Sequence, residues 1–315
     1  MSDGHADTGG LVRFTGVQVY VHLLLAASIL SLLLTGLGIT FGSHVGWIAA
    51  LVGSDNLILV HVLVGVLLFV VLLYYAFYVL LGLFTGDVPT AWLPDGETVR
   101  EAIAYAKWAV GVGPKPTAGK YTWIQKSEIL IIAAESLVLV ATGLVLTFPG
   151  LLLAYKPSFL IVSDVHAVVA YTLLMGVTYH LWDTHMVEFP LDESMFTGRV
   201  SVERARKEWA DWVGDGRVAA DGGSTARRTP EVAGAIGVLV VFAVVYSGIV
   251  LDRVLAPLPG TGETLLFDLE PGALMGGSLG FVWTIGLNLV AIVLLAGLLA
   301  LFYGLSLRLT GDTDL

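Results

Sequence analysis

Long stretches that are apolar on every helical face alternate along this chain with shorter polar segments. A helix needs about 20 apolar residues to cross a hydrocarbon core of ~30 Å. Six stretches meet that length: Val17–Thr40, Leu57–Leu83, Ile124–Phe148, Leu160–Met186, Glu231–Leu251 and Ser278–Leu307. Uniformly apolar helices of this kind predict membrane spans, not the one-sided helices that line a water-facing core. The first run is too long for the apolar core of a signal peptide and lacks a cleavage site, so it counts as a span. The fifth has a clean start, with Thr229 to cap, Pro230 at the first helical position and Glu231 at the positive end of the dipole. The predicted fold is all-α and polytopic: a four-helix transmembrane bundle plus two further C-terminal transmembrane helices. A Gly- and Arg-rich stretch from Asp215 to Arg228 reads as a linker. It divides the chain into a four-span domain (1–212), a linker (213–230) and a two-span appendage (231–315). The appendage reads as a scaffold or a surface for another subunit.

Composition agrees with that pattern. Of the 315 residues 56% are hydrophobic and 13% charged, against roughly 25% charged in soluble domains; the mean hydropathy is +0.84. Charge supplies the orientation. Fourteen of the sixteen Lys and Arg residues fall in the tails and the two long loops on one side, leaving Lys156 and Arg253 on the other. The excess of positive charge predicts that both termini and the long loops are cytoplasmic. The loops at 41–56, 149–159 and 252–277 then face outward. The cytoplasmic stretch Val202–Trp212 reads as a helix lying at the membrane interface, or as part of a partner-docking face. A net charge of −10 argues against nucleic-acid binding. Cysteine is absent, which removes disulfides, thiolate-bound zinc, protein-held iron–sulfur clusters and covalent c-type haem.

Histidine is where chemistry enters. His5 in the tail and His44 in an outer loop read as solvated; the other five sit in or at the ends of spans. Each is costly in hydrocarbon unless its ring nitrogens find partners. His22 lies near the cytoplasmic end of the first span and His61 near the outer end of the second. The fourth span carries His166 near its outer end and His180 near its inner end. Fourteen residues separate these two, ~21 Å of helix and four turns less about 40°, so both rings point to roughly one face. Depth then pairs His22 with His180 inside and His61 with His166 outside. Two stacked imidazole pairs suit two low-spin b haems with four axial nitrogens. Gly36, Gly65, Gly143, Ala167 and Gly176 would let macrocycles approach the backbone. Zinc would need one tetrahedral cluster instead of two layers; a proton relay stays open. Glu128 reads as a helix-end carboxylate, and Asp164 as a helix cap alongside Ser163. Glu135, near mid-span in the third helix, is either protonated and hydrogen-bonded or part of a proton path.

Several segments carry a resemblance. Arg13-Phe14 stands ahead of His22, and Leu34-Thr35-Gly36-Leu37 follows it. Further along come His61, Gly119-Lys120-Tyr121 with Gln125-Lys126, Thr142-Gly143-Leu144, His166 and His180-Leu181-Trp182. After the fourth span stand Ser194-Met195-Phe196-Thr197-Gly198-Arg199-Val200 and Trp209-Ala210. Over residues 11–212 the chain resembles the membrane cytochrome b subunits of respiratory formate dehydrogenase, nickel–iron hydrogenase and thiosulfate reductase type complexes. The resemblance implies that the four histidines ligate two haems in the pairing above. It departs where Val19 and Leu23 replace an Arg and a Trp flanking the first ligand. Thr122 and Ile124 replace an Asn and a Gly that line the quinone site in that family. The last two spans have no counterpart in the four-span pattern.

These readings together predict a di-haem electron-transfer subunit in a prokaryotic cytoplasmic membrane. A separate iron–sulfur subunit and a catalytic oxidoreductase subunit would meet its outer face, and a quinone its cytoplasmic end. Arg13 is expected to pair with a haem propionate. Thr122, Gln125, Lys126, Asp183 and His185 are the quinone-site candidates. The rival readings are a membrane anchor without redox activity and a transporter gated by histidines.

Overall fold

The computed structural model describes residues 10–85, 91–148, 150, 156–186, 194–214 and 280–310. In chain order its elements are strand β1 (Leu11–Val12), α1 (Gly16–Thr40), α2 (Gly46–Val52), α3 (Leu57–Thr85), α4 (Gly96–Ala109), α5 (Trp123–Thr147) and α6 (Lys156–His180). Then come a π-helical turn (Leu181–Met186), α7 (Ser194–Thr197), strand β2 (Arg199–Val200), α8 (Val202–Glu208), α9 (Ala210–Val213) and α10 (Gly280–Thr310). Helices α1, α3, α5, α6 and α10 are long and apolar enough to cross a membrane, and the chain is an all-α polytopic membrane protein. The expected span Glu231–Leu251 and the linker from Asp215 lie outside the described residues.

Local chemistry explains where the spans begin. Thr15 caps α1 and Thr122 caps α5, each accepting from the backbone N–H of a glutamine three residues on, Gln18 and Gln125, whose side chain returns to the cap. These reciprocal caps satisfy backbone donors that the helix leaves unpaired. Both stand at the same face of the bundle, as does Arg13; we call it the basic face.

The core is built around α1. Its Ile29, Leu30, Leu33, Leu34 and Leu37 pack with Leu173, Leu174 and Val177 of α6 and with Leu287, Ala291 and Leu294 of α10. The three α10 side chains are at most 1% exposed. The last helix therefore packs into the core of the bundle. Sequence periodicity could not show this, because α10 is apolar all round. Small residues let it approach: Gly297 stands against Leu30 and Leu181, and a Cβ at Gly304 would lie 2.6 Å from the Phe196 ring. At the face opposite the basic one, Trp47 Nε1 donates to Asn288 Oδ1 at 2.8 Å. His44 Nδ1 lies 2.8 Å from Thr284 Oγ1. His44, expected to be merely solvated, helps tie the 41–56 loop to α10.

On the basic face β1 pairs antiparallel with β2, Leu11 opposite Val200 and Val12 opposite Arg199. Gly198 makes the join. Its φ of 76° is open to glycine, and its carbonyl accepts from the backbone N–H groups of Arg13 and Phe14 at 2.8 and 3.1 Å. A Cβ there would stand 2.8 Å from the Phe14 carbonyl oxygen. The expected helix Val202–Trp212 forms as the two short helices α8 and α9. Between them Trp209 is 2% exposed, a core residue of this cap and not a surface one.

Candidate functional site

Four of the five membrane histidines come together in two layers. The rings of His22 on α1 and His180 on α6 have centroids 6.2 Å apart; those of His61 on α3 and His166 on α6 are 6.4 Å apart. The first pair lies toward the basic face and is called inner; the second is outer. On α6 the layers are separated by ~21 Å of helical rise. Among the described residues no three of His, Asp, Glu or Cys converge as a tetrahedral zinc site would require.

The spacing within each pair tests the fit to haem. Metal–imidazole bonds are about 2 Å long, and a ring centre lies ~1 Å behind its bound nitrogen, so two rings on opposite sides of one iron stand about 6 Å apart. Both pairs meet this length.

The outer pair has a matched support. Thr35 Oγ1 lies 2.8 Å from His61 Nδ1, and Thr142 Oγ1 lies 2.8 Å from His166 Nδ1. Each threonine hydroxyl also donates back along its own helix, Thr35 to the Ser31 carbonyl at 2.8 Å and Thr142 to the Val138 carbonyl at 2.7 Å. A hydroxyl has one proton. With that proton used, the oxygen accepts from the ring, so Nδ1 carries the hydrogen and Nε2 keeps its lone pair for a metal. The glycine after each threonine makes room: Cβ atoms at Gly36 and Gly143 would stand 3.6 and 3.4 Å from Cε1 of His61 and His166. Two Thr-Gly steps on α1 and α5 thus cradle two histidines on α3 and α6.

The inner pair is built differently. His180 is the last residue of α6, and its Nδ1 lies 3.0 Å from Glu128 Oε2 of α5. Thr184 Oγ1 is at 3.4 Å, and His185 meets the same ring edge-on with centroids 5.5 Å apart. The intervening residues form the π-helical turn, a feature common at functional sites. Glu128 was read from sequence as a helix-end carboxylate; its partner ring lies 52 residues away. A signal was present: Glu128 and Thr142 are spaced by fourteen, like His166 and His180 on the antiparallel α6. Midway, Glu135 faces Thr172 of α6, so α5 turns one polar seam toward α6.

The other candidates gather at the basic face, where most are tied to structure. Arg13 is 2% exposed. Its guanidinium stacks on Trp209, 3.5 Å from the ring centroid. It donates to Ser194 Oγ at 3.3 Å, and to the Lys120 carbonyl and Gln125 Oε1 at 3.4 Å. Thr122 and Gln125 are occupied in capping α5. Lys126 Nζ reaches α4, donating to Thr98 Oγ1 at 3.0 Å and lying 3.7 Å from Asp95. Burial, and then the like charge of Arg13, pushes the Lys120 ammonium below its usual range. Of the quinone-site candidates, His185 is the one in ring contact with a paired histidine; Asp183 lies in the same π-helical turn.

No curated protein matches the chain. The sequence profile of the prokaryotic cytochrome b561 family matches residues 13–198, a stretch that holds all four paired histidines and both Thr-Gly steps. The match spans more than half of the chain, which belongs to the prokaryotic cytochrome b561 family and is a haem-binding membrane cytochrome b of electron transfer.

Proposed function

We propose that this cytochrome holds two b haems, one between His22 and His180 and one between His61 and His166. It would serve as the membrane subunit of a respiratory oxidoreductase complex. The observation that carries the reading is the pair of centroid distances, 6.2 and 6.4 Å, at two depths of one bundle. When bound, the haems supply one-electron ferric–ferrous chemistry. The chain's own residues orient the imidazoles: Thr35 and Thr142 hold the outer Nδ1–H groups, and Glu128 holds that of His180. Buried apolar side chains of α1, α6 and α10 would keep water from the layers.

The partner on the face opposite the basic one is an iron–sulfur subunit attached to a catalytic subunit, since a chain without cysteine cannot hold such a cluster itself. The basic face is cytoplasmic in a prokaryotic cell membrane, with both termini on that side, as the distribution of Lys and Arg implies. A quinone is the exchangeable redox partner there. His185 meets the His180 ring and Asp183 lies in the same π-helical turn, while Thr122, Gln125 and Lys126 stand at the start of α5. Arg13, at the same end, is the cation for a propionate, and Glu135 occupies the depth at which a proton-carrying group between the layers would stand.

The test is a reduced-minus-oxidised spectrum of the detergent-purified protein, followed by addition of a quinol analogue. Two low-spin b haems per chain, reduced by the quinol, are expected. The absence of a Soret band would leave an anchor or a histidine-gated transporter. Haem that the quinol does not reduce would remove the quinone.

A further inference from the structure

We infer that Glu128 is a positioning residue that sets the inner iron site apart from the outer one, by placing a carboxylate where the outer histidines meet neutral hydroxyls. The inference rests on the two-haem reading. One helix supplies both kinds of support to α6: Thr142 of α5 faces His166, and Glu128, fourteen residues earlier on the same helical face, faces His180.

The two supports differ in charge. The Thr35 and Thr142 hydroxyls are neutral acceptors whose protons are already engaged with backbone carbonyls. The Glu128 side chain is 12% exposed and its Oε2 lies 3.0 Å from His180 Nδ1. Its second oxygen, Oε1, is buried and has no hydrogen-bond partner among the described residues. No cation among them pairs with this carboxylate, so its field falls on the His180 ring. Thr184, at 3.4 Å, is a longer and neutral contact.

Hydrogen bonds to an ionised acceptor are roughly twice as strong as neutral ones. A carboxylate behind a metal-bound histidine also raises the basicity of the ligand. A more basic imidazole donates more strongly to iron and favours the ferric state over the ferrous. The couple exchanges one electron, and no bond forms or breaks at His180. The inner site therefore has a lower midpoint potential than the same ring pair would have with a threonine behind it.

The experiment is a spectroelectrochemical titration of the haem-loaded protein, wild type beside Glu128→Gln. The inner component is identified as the one missing in His22→Ala. Gln keeps an acceptor and removes the charge, so both haems stay bound. At the wild-type inner midpoint the reduced-to-oxidised ratio of that component rises about tenfold, equivalent to 59 mV for one electron, while the outer component does not move. Glu128→Asp, which keeps the charge, falls closer to wild type than Gln does. If Gln releases the inner haem, Thr142→Asp supplies the reciprocal measurement, and the outer midpoint falls. An unmoved inner midpoint in Glu128→Gln, or an unmoved outer one in Thr142→Asp, overturns the inference alone. A wild-type protein without two low-spin haems overturns the reading beneath it.

Discussion

The outer and inner histidine pairs have nearly the same ring spacing and different surroundings. At the outer layer two helices contribute the same device, a threonine followed by a glycine, to two histidines on neighbouring helices. At the inner layer a carboxylate stands behind His180, a second histidine abuts it, and the helix ends there in a π turn. Helical rise along α6 sets the depth of each layer, and both pairs reach nearly the same ring spacing. The electrostatic character of each layer comes from whichever helix stands behind the ring, and there the two diverge.

The largest effect comes from removing one layer. His61→Ala should abolish the outer spectral component and leave the inner one in place; persistence of both components would break the assignment of layers to histidines. Next is the structure that holds the inner end. Trp209 is 2% exposed and covers the Arg13 guanidinium. Trp209→Ala should cost about 3–5 kcal/mol of stability, read as a lower thermal midpoint with inner haem lost before outer. Equal loss of both would mean that the basic-face cap does not distinguish them.

A smaller change sharpens the outer layer. Thr142→Val keeps the shape and deletes the acceptor for His166 Nδ1–H. Outer haem should be retained ~10-fold less tightly, measured by transfer to a haem acceptor, while the inner site is unaffected.

The smallest effect is at the edge of the basic face. The side-chain hydroxyl and the backbone N–H of Thr98 hold the Asp95 carboxyl at about 2, and Lys126 adds to this. The unfolded value is ~3.9, so the cap contributes fully above that pH and is lost as pH falls toward about 2. Proteolysis within α4 should therefore rise below pH 4 in wild type, and Asp95→Ala should show the raised cleavage already at neutral pH. Inner haem spectra should be unchanged by either, since α4 carries none of the four paired histidines.

Much of the fold was legible in the chain. Five of the six expected spans appear within a few residues of their expected ends. The depth argument from the 14-residue spacing paired His22 with His180 and His61 with His166, the same rings that lie 6.2 and 6.4 Å apart. Other features were hidden. Glu128, a bland carboxylate in the sequence, contacts a ring on another helix. That Thr122 and Gln125, the quinone-site candidates, also cap α5 was not anticipated, although a side chain next to a helix start has unpaired backbone donors within reach. The amphipathic α4 was not anticipated, although Asp95 and Thr98 form a capping box at its start.

By itself the sequence marked the apolar segments long enough to cross a membrane, the depths of the four paired histidines and the side that carries most of the Lys and Arg. Hydropathy, helical rise and charge asymmetry are local or one-dimensional quantities that need no knowledge of neighbours. Only the tertiary structure decided that α10 belongs to the core, that Arg13 lies under Trp209, and that one histidine meets a carboxylate where two others meet hydroxyls. The physical reason is that a membrane helix apolar on all sides has no polar face to mark its buried side. Its neighbours are chosen by close packing and by a few polar contacts between residues far apart in the chain.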